Sequence, residues 1–315
     1  MTRFPLASLL CISLLTTCGD ARKGVEKASP PSIQPPVSST GRIQLQVVNY
    51  PLAYFAERVG GTEVDVHFRA PNDGDPAFWE PTDADIAALQ KADLIVLNGA
   101  TYSKWLDQVS LPESRVLDTS AGFKKDYIEV KDTVTHSHGK AGEHSHTGTA
   151  FTTWLDFKQA ILQAEAICAE LQRLRPEQIE LFALNFDLLK RDLLALDQEM
   201  EATGKKLAGQ PLVASHPVYQ YWARRYGINL RFVHWEPETV PDEAAMGDLK
   251  KLLVDHPAKL MVWEGGPALA SVEKLKALGI GSVIFDPGGN VSDKGNWLDV
   301  MKANLSSIGK VVIAP

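Results

Sequence analysis

The sequence predicts an α/β protein of two lobes, each with a mainly parallel sheet, bridged by a long spine helix. Three observations predict it. Short apolar runs alternate with helical patterns over residues 43–97, sustained helical periodicity takes over across 154–205, and alternation resumes over 212–308. A strand followed by a helix and another strand favours parallel pairing, because a parallel neighbour needs a crossover connection. Ligand groups are then expected at the carboxyl ends of the strands and in the cleft between lobes.

The chain opens with Arg3, an apolar stretch over 6–15 and small residues leading to Cys18, the pattern of an export leader too short to span a membrane. Leu15-Thr16-Thr17-Cys18 resembles a bacterial lipobox, which implies a lipid anchor on Cys18 and an exported, periplasmic or cell-surface protein held at the membrane. Ordinary signal cleavage is the alternative. Residues 19–41, with Pro30-Pro31 and Pro35-Pro36, have almost nothing to bury and read as a tether.

The first lobe spans 42–152. Its strand over 43–48 leads into a helix over 50–59 closed by Gly60-Gly61, and 64–68 alternates as a second strand. A loop over 71–76 follows, then a helix over 83–91 with Thr82 as N-cap and an apolar strand over 94–97. Residues 153–207 form the spine, where Pro176 either starts a new helical stretch or kinks a long one. The second lobe spans 208–315. Its strands are expected over 212–215, 230–233, 260–263 and 283–285, with helices over 217–226 and 244–255, another through Ala277 and a last one ending near Ile308.

Four of the eight histidines, His136, His138, His144 and His146, fall within residues 135–147. Neutral imidazole is the commonest protein ligand for zinc, and an intervening serine in an extended segment puts both rings of a pair on one side. Gly139, Gly142 and Gly148 place the cluster on a surface loop. A solvated low-complexity insert is the bland alternative. The net charge of −7, with no basic stripe, argues against a nucleic-acid partner. Cys168, in a helical pattern, reads as a buried core thiol. No nucleophile elbow, phosphate loop or HExxH pattern occurs, so the chain reads as a binding protein and not an enzyme.

Several segments in this order resemble one family. They are residues 50–61 (YPLAYFAERVGG), Glu80-Pro81-Thr82, residues 92–99 (ADLIVLNG), Trp154-Leu155-Asp156, Ser215-His216 with residues 223–227 (ARRYG), and Asp286-Pro287. The chain is similar to the cluster A-I solute-binding proteins, the extracytoplasmic receptors of zinc and manganese ABC importers. The resemblance implies two lobes that move little on loading, a metal held between them and a His-rich loop ahead of the spine. Carried over residue by residue, it implies His216 and Asp286 as ligands, with Glu264 where the family often has glutamate. Two family imidazoles are missing, because Ala77 and Thr152 stand in their places.

His216, Asp286 and Glu264 would form a site harder than a three-histidine one and more tolerant of manganese or iron. Three repairs are open: the loop histidines complete the site, Asp75 or Glu80 substitutes from the first lobe, or the cleft has lost metal. Each ligand also has an ordinary reading, His216 as a helix cap or core residue and Asp286 and Glu264 as turn residues. His67, His234 and His256 read as surface or core histidines. Trp79, Trp154, Trp222, Trp235 and Trp263 read as packing residues. The expected function is a monomeric receptor that captures a divalent metal, Zn2+ foremost with Mn2+ or Fe2+ as alternatives, and delivers it to an ABC transporter permease. The competing functions are a metal-buffering lipoprotein that uses the His-rich loop, and a receptor repurposed for a metal complex or small organic ligand.

Overall fold

A computed structural model describes residues 41–72, 74–130, 135–137, 143–145 and 148–313. The leader, Cys18, the tether through residue 40, His138 and His146 lie outside the described residues.

Each lobe is built on a four-stranded parallel sheet. In the first, β1 (Ile43–Val47), β2 (Val64–Phe68), β3 (Leu94–Leu97) and β4 (Val116–Asp118) stand in the order β2-β1-β3-β4. Helix α1 (Tyr50–Gly60) crosses between β1 and β2, and α2 (Asp83–Lys91) precedes β3. Asn49 caps α1 by accepting from Leu52 N at 3.1 Å. Thr82 and Asp85 form a reciprocal capping box on α2, as the N-cap reading of Thr82 required.

A two-stranded antiparallel pair, β5 (Glu129–Val130) with β8 (Gly148–Thr149), closes the base of the His-rich segment. Within that segment β6 (Thr135–Ser137) pairs antiparallel with β7 (Glu143–Ser145), setting the backbone of His136 opposite that of His144. The second lobe repeats the plan of the first. Strands β9 (Pro211–Ala214), β10 (Asn229–Phe232), β11 (Leu260–Trp263) and β12 (Gly281–Ile284) are parallel in the order β10-β9-β11-β12.

The expected spine is two helices. Residues 153–155 form a 3-10 turn, α3 (Phe157–Leu174) follows, and a 3-10 turn at Pro176–Gln178 separates it from α4 (Ile179–Leu207). Pro176 thus starts a new stretch, because proline lacks the amide a continuing helix needs but fits a first turn. At 29 residues, α4 extends about 43 Å at 1.5 Å per residue. It packs on α1 and α3 and also on α5 (Gln220–Tyr226) and α8 (Trp297–Ile313) of the second lobe, so it bridges both lobes. Gly204 permits the α5 approach, since a Cβ there would lie 2.4 Å from Tyr226 O.

Helices α6 (Glu243–Asp255) and α7 (Leu269–Ala277) complete the second lobe. Residues 217–219, expected as helix, form a turn ahead of α5, while the last helix runs five residues beyond Ile308 to Ile313. Cys168 is 5% exposed, and its thiol donates to Phe182 O. Among the described residues no helix is long and apolar enough to cross a membrane.

Candidate metal centre

In a sheet ordered 2-1-3-4, the connections leave the central strands in opposite directions, and their carboxyl ends open a crevice. In the second lobe those strands are β9 and β11. Val262 pairs with Ala214, so continuing the register by two places sets Glu264 beside His216. His216 is buried at 1% exposure, and its Nδ1 lies 3.7 Å from Glu264 Oε1, too long for a hydrogen bond and suited to a bridging cation.

Strand β10 adds a third donor. Residues 233–235 keep pairing past its end, with Val233 N donating to Ala214 O and Trp235 N to Ser215 O, both at chain-ladder distances. This brings Glu236 to the same crevice. One nitrogen of His216 and one carboxylate oxygen each of Glu236 and Glu264 lie within 4.8 Å of one another. Tetrahedral zinc, with bonds of about 2.0–2.1 Å, separates its donors by roughly 3.4 Å, so modest contraction completes three-point binding.

Asp286 does not join this group of donors. It follows β12, the edge strand beside β11, and its carboxylate is turned to the chain that follows it. Its Oδ1 accepts from Gly288 N at 2.7 Å, and Asn304 brackets its backbone by donating to Asp286 O and accepting from Asp286 N. The tight turn requires glycine at 288, where φ is +67° and a Cβ would meet Met301 and Trp297. Asp286 still acts on the centre through its charge.

Burial first, then the charges of Asp75, Glu236, Glu238 and Asp286, raise the Glu264 carboxyl well above its ordinary value. Burial likewise raises Asp286, against the pull of Gly288 N–H and Lys294. Such crowding of acidic groups favours a divalent cation as the neutralising partner.

The first lobe faces this centre across a cleft of about 560 Å³, lined by Asp75, Tyr102, Phe151, Thr152, Trp154, Glu238 and Asn290 among others. The two positions where family imidazoles are missing differ. Ala77 is fully buried within the first lobe's core, whereas Thr152 lines the cleft and donates its hydroxyl to Val218 O. The same strand-end positions that carry His216 and Glu264 in the second lobe hold Asn49 and Asn98 in the first. Asn49 Nδ2 donates to Asn98 Oδ1, and Gln163 Nε2 donates to the same oxygen, so an amide network fills that crevice. Asn98 Nδ2 in turn donates to Phe151 O and fixes the segment bearing Thr152.

Of the remaining histidines, His67 is exposed beside Gln44, and His256 is buried against Leu212 O. His234 is half-buried with its ring edge-on to His216, 6.0 Å between centroids. Trp154 lines the cleft and donates to Pro287 O; Trp222, Trp235 and Trp263 are core, and Trp79 packs on Trp105.

The family model for the periplasmic component A of zinc-uptake complexes, ZnuA, matches residues 47–311. The chain belongs to this family. Members are binding components of transport systems, not enzymes. The chain is 25% identical over 308 residues to the high-affinity zinc uptake system protein ZnuA of Bacillus subtilis, covering 95% of this chain and 93% of that one. It is 25% identical over 336 residues to the metal ABC transporter substrate-binding lipoprotein ScbA of Streptococcus cristatus, covering 98% and 97%. Against the zinc-binding protein AdcA of Streptococcus pyogenes, at 24% identity, it spans 56% of the longer protein. The metal-dependent lipoprotein YcdH of Bacillus subtilis superposes with a TM-score of 0.73 at 22% identity, covering 85% of this chain and 98% of that one. The Zn(II)-bound ZnuA-like domain of Streptococcus pneumoniae AdcA superposes with 0.70 at 20% identity, covering 87% and 100%. The shared architecture is thus the two-lobe fold of ZnuA-family proteins.

Proposed function

We propose that the protein is an extracytoplasmic receptor that captures a divalent metal, zinc foremost, in the cleft between its lobes and delivers it to an ABC transporter permease. The observation that carries this is the convergence of His216, Glu236 and Glu264 on one crevice. One imidazole and two carboxylates form a harder donor set than several imidazoles, which narrows zinc's advantage over Mn2+ and Fe2+. The names of the curated relatives, zinc uptake protein and metal ABC transporter substrate-binding lipoprotein, support the cargo and the importer partner. The lipobox-like leader supports a lipid anchor on Cys18. In this reading residues 42–152 and 208–315 are the two lobes, 153–207 link them, and the monomer is the working unit.

Calorimetric titration of Zn2+, Mn2+ and Fe2+ into the metal-stripped protein tests the reading. Binding tighter than millimolar, a scale of about −4 kcal/mol, is expected, and its absence for all three ions would overturn the reading. Removing residues 135–147 should leave tight binding in place while His216→Ala removes it. The reverse pattern would transfer the function to the His-rich segment as a metal buffer.

A further inference from the structure

The three donors all belong to the second lobe: His216 follows β9, Glu236 follows β10 and Glu264 follows β11. A cation held there is ligated on one side, and the rest of its coordination sphere faces the first lobe. The described residues of that lobe offer few donors to fill it. Thr152 has its hydroxyl committed to Val218 O, Ala77 is buried in the core, and among the described residues the first-lobe carboxylate on the cleft wall is Asp75, whose Oδ1 accepts from Ala77 N.

Closure is not free to bring more. Besides Thr152 to Val218, Trp154 Nε1 donates to Pro287 O at 2.7 Å, Tyr50 N donates to Gly289 O at 3.0 Å, and Asn290 Nδ2 donates to both Pro71 O and Gly74 O. These bonds fix the spacing of the walls.

That spacing leaves room. Six waters around a metal ion occupy on the order of 180 Å³ at about 30 Å³ each, against a cleft of about 560 Å³. Cavities of this size and aromatic character ordinarily take organic ligands. Tyr102, 2% exposed, lines the cleft and its hydroxyl has no protein hydrogen-bond partner among the described residues. A buried hydroxyl in that state takes its partner from the cleft contents, water or a ligand acceptor. Charge narrows the chemistry: Asp75, Glu236, Glu238 and Glu264 line the cleft, and no lysine or arginine does among the described residues. A polyanionic chelator would be repelled, whereas one with nitrogen donors and little net charge would not.

We propose that the cleft receives its metal as a complex with a small nitrogen-donor chelator of the amino-acid type, the metal held by His216, Glu236 and Glu264 and the chelator seated against Tyr102, Thr152 and Trp154. The proposal rests on the metal-capture reading and names the chemical form of its cargo.

L-Histidine and citrate serve as contrasting probes. Zn2+ is titrated into the metal-stripped protein alone and with each chelator, at matched free Zn2+, and the products are weighed by native mass spectrometry. With L-histidine a 1:1:1 complex of protein, zinc and histidine is expected, with at least tenfold tighter zinc binding; with citrate at the same free Zn2+ the zinc binding is unchanged and no citrate adduct forms. A zinc-only adduct whose occupancy follows free Zn2+ in the presence of histidine overturns the proposal but leaves metal capture standing. A citrate adduct of equal strength overturns the amino-acid assignment, and no zinc uptake under any condition overturns both readings. If zinc alone binds as tightly and histidine helps only after removal of residues 135–147, the protein's own loop imidazoles complete the sphere and the proposal fails. Tyr102→Phe, which keeps the ring, should weaken the ternary complex at least threefold. Thr152→His, checked for native folding by circular dichroism, should tighten binding of zinc alone and suppress the ternary complex; the opposite response overturns the seating.

Discussion

Glu264 concentrates the chemistry of the centre in one carboxyl group. Burial and four neighbouring carboxylates make the metal-free protein hold its proton well above the ordinary glutamate range. The unfolded chain releases that proton near pH 4.3, so the folded form binds more protons over the interval between the two values, and apo stability falls as pH rises through it. Metal binding expels the proton, so affinity rises with pH across the same interval. Glu264→Gln is expected to flatten the pH dependence of the apo melting temperature, raise that temperature near neutrality, and abolish tight metal binding; melting curves from pH 4 to 8 with and without Zn2+ check all three. His216→Ala and Glu236→Gln each remove one of three donors. Titration calorimetry should register a loss of at least 100-fold for either, about 2.8 kcal/mol.

Capping and packing set where the elements end, and at this scale the sequence was largely readable. Asn49, Thr82 and Asp156 cap α1, α2 and α3 because short acceptors at those positions satisfy amides the helices leave open. Pro176 left two outcomes open, and contact between α3 and α4 selected the break. Asp156, Arg225, Asp197 and Tyr226 then tie α3, α4 and α5: Arg225 Nη2 lies 2.6 Å from Asp197 Oδ2, and Tyr226 OH donates to Asp197 Oδ1 at 3.0 Å. Asp197 is 4% exposed, so deleting its partner strands a buried charge. Arg225→Ala should cost about 3 kcal/mol in urea unfolding, with Arg225→Lys intermediate because lysine cannot reproduce the planar fork.

Across the whole molecule, α4 and the hydrogen bonds between the cleft walls make a body with little freedom to hinge. Small-angle scattering should show a change in radius of gyration below about 1 Å on metal loading, since ties such as Trp154 to Pro287 need not break. Asn290→Ala removes both hydrogen bonds to Pro71 O and Gly74 O, and stopped-flow chelation should find metal release faster by several-fold. In cells, Cys18→Ser should shift the protein from the membrane to the soluble fraction if the leader supplies a lipid anchor.

Alternating apolar runs and the helical stretch were determined by sequence alone, because periodicity is a local property; His216 and Glu264, two of the three convergent donors, were expected from the family resemblance. Glu236 escaped notice although it follows its strand as the others do. Asp286 was grouped with the ligands because it occupies a strand end in a family motif. The strand order β10-β9-β11-β12 puts Glu236 on a neighbour of the His216 strand, while the turn after β12 engages Asp286 Oδ1 with Gly288 N. Strand order is a non-local property, decided by which faces pack and which way each connection turns, and no spacing along the chain encodes it.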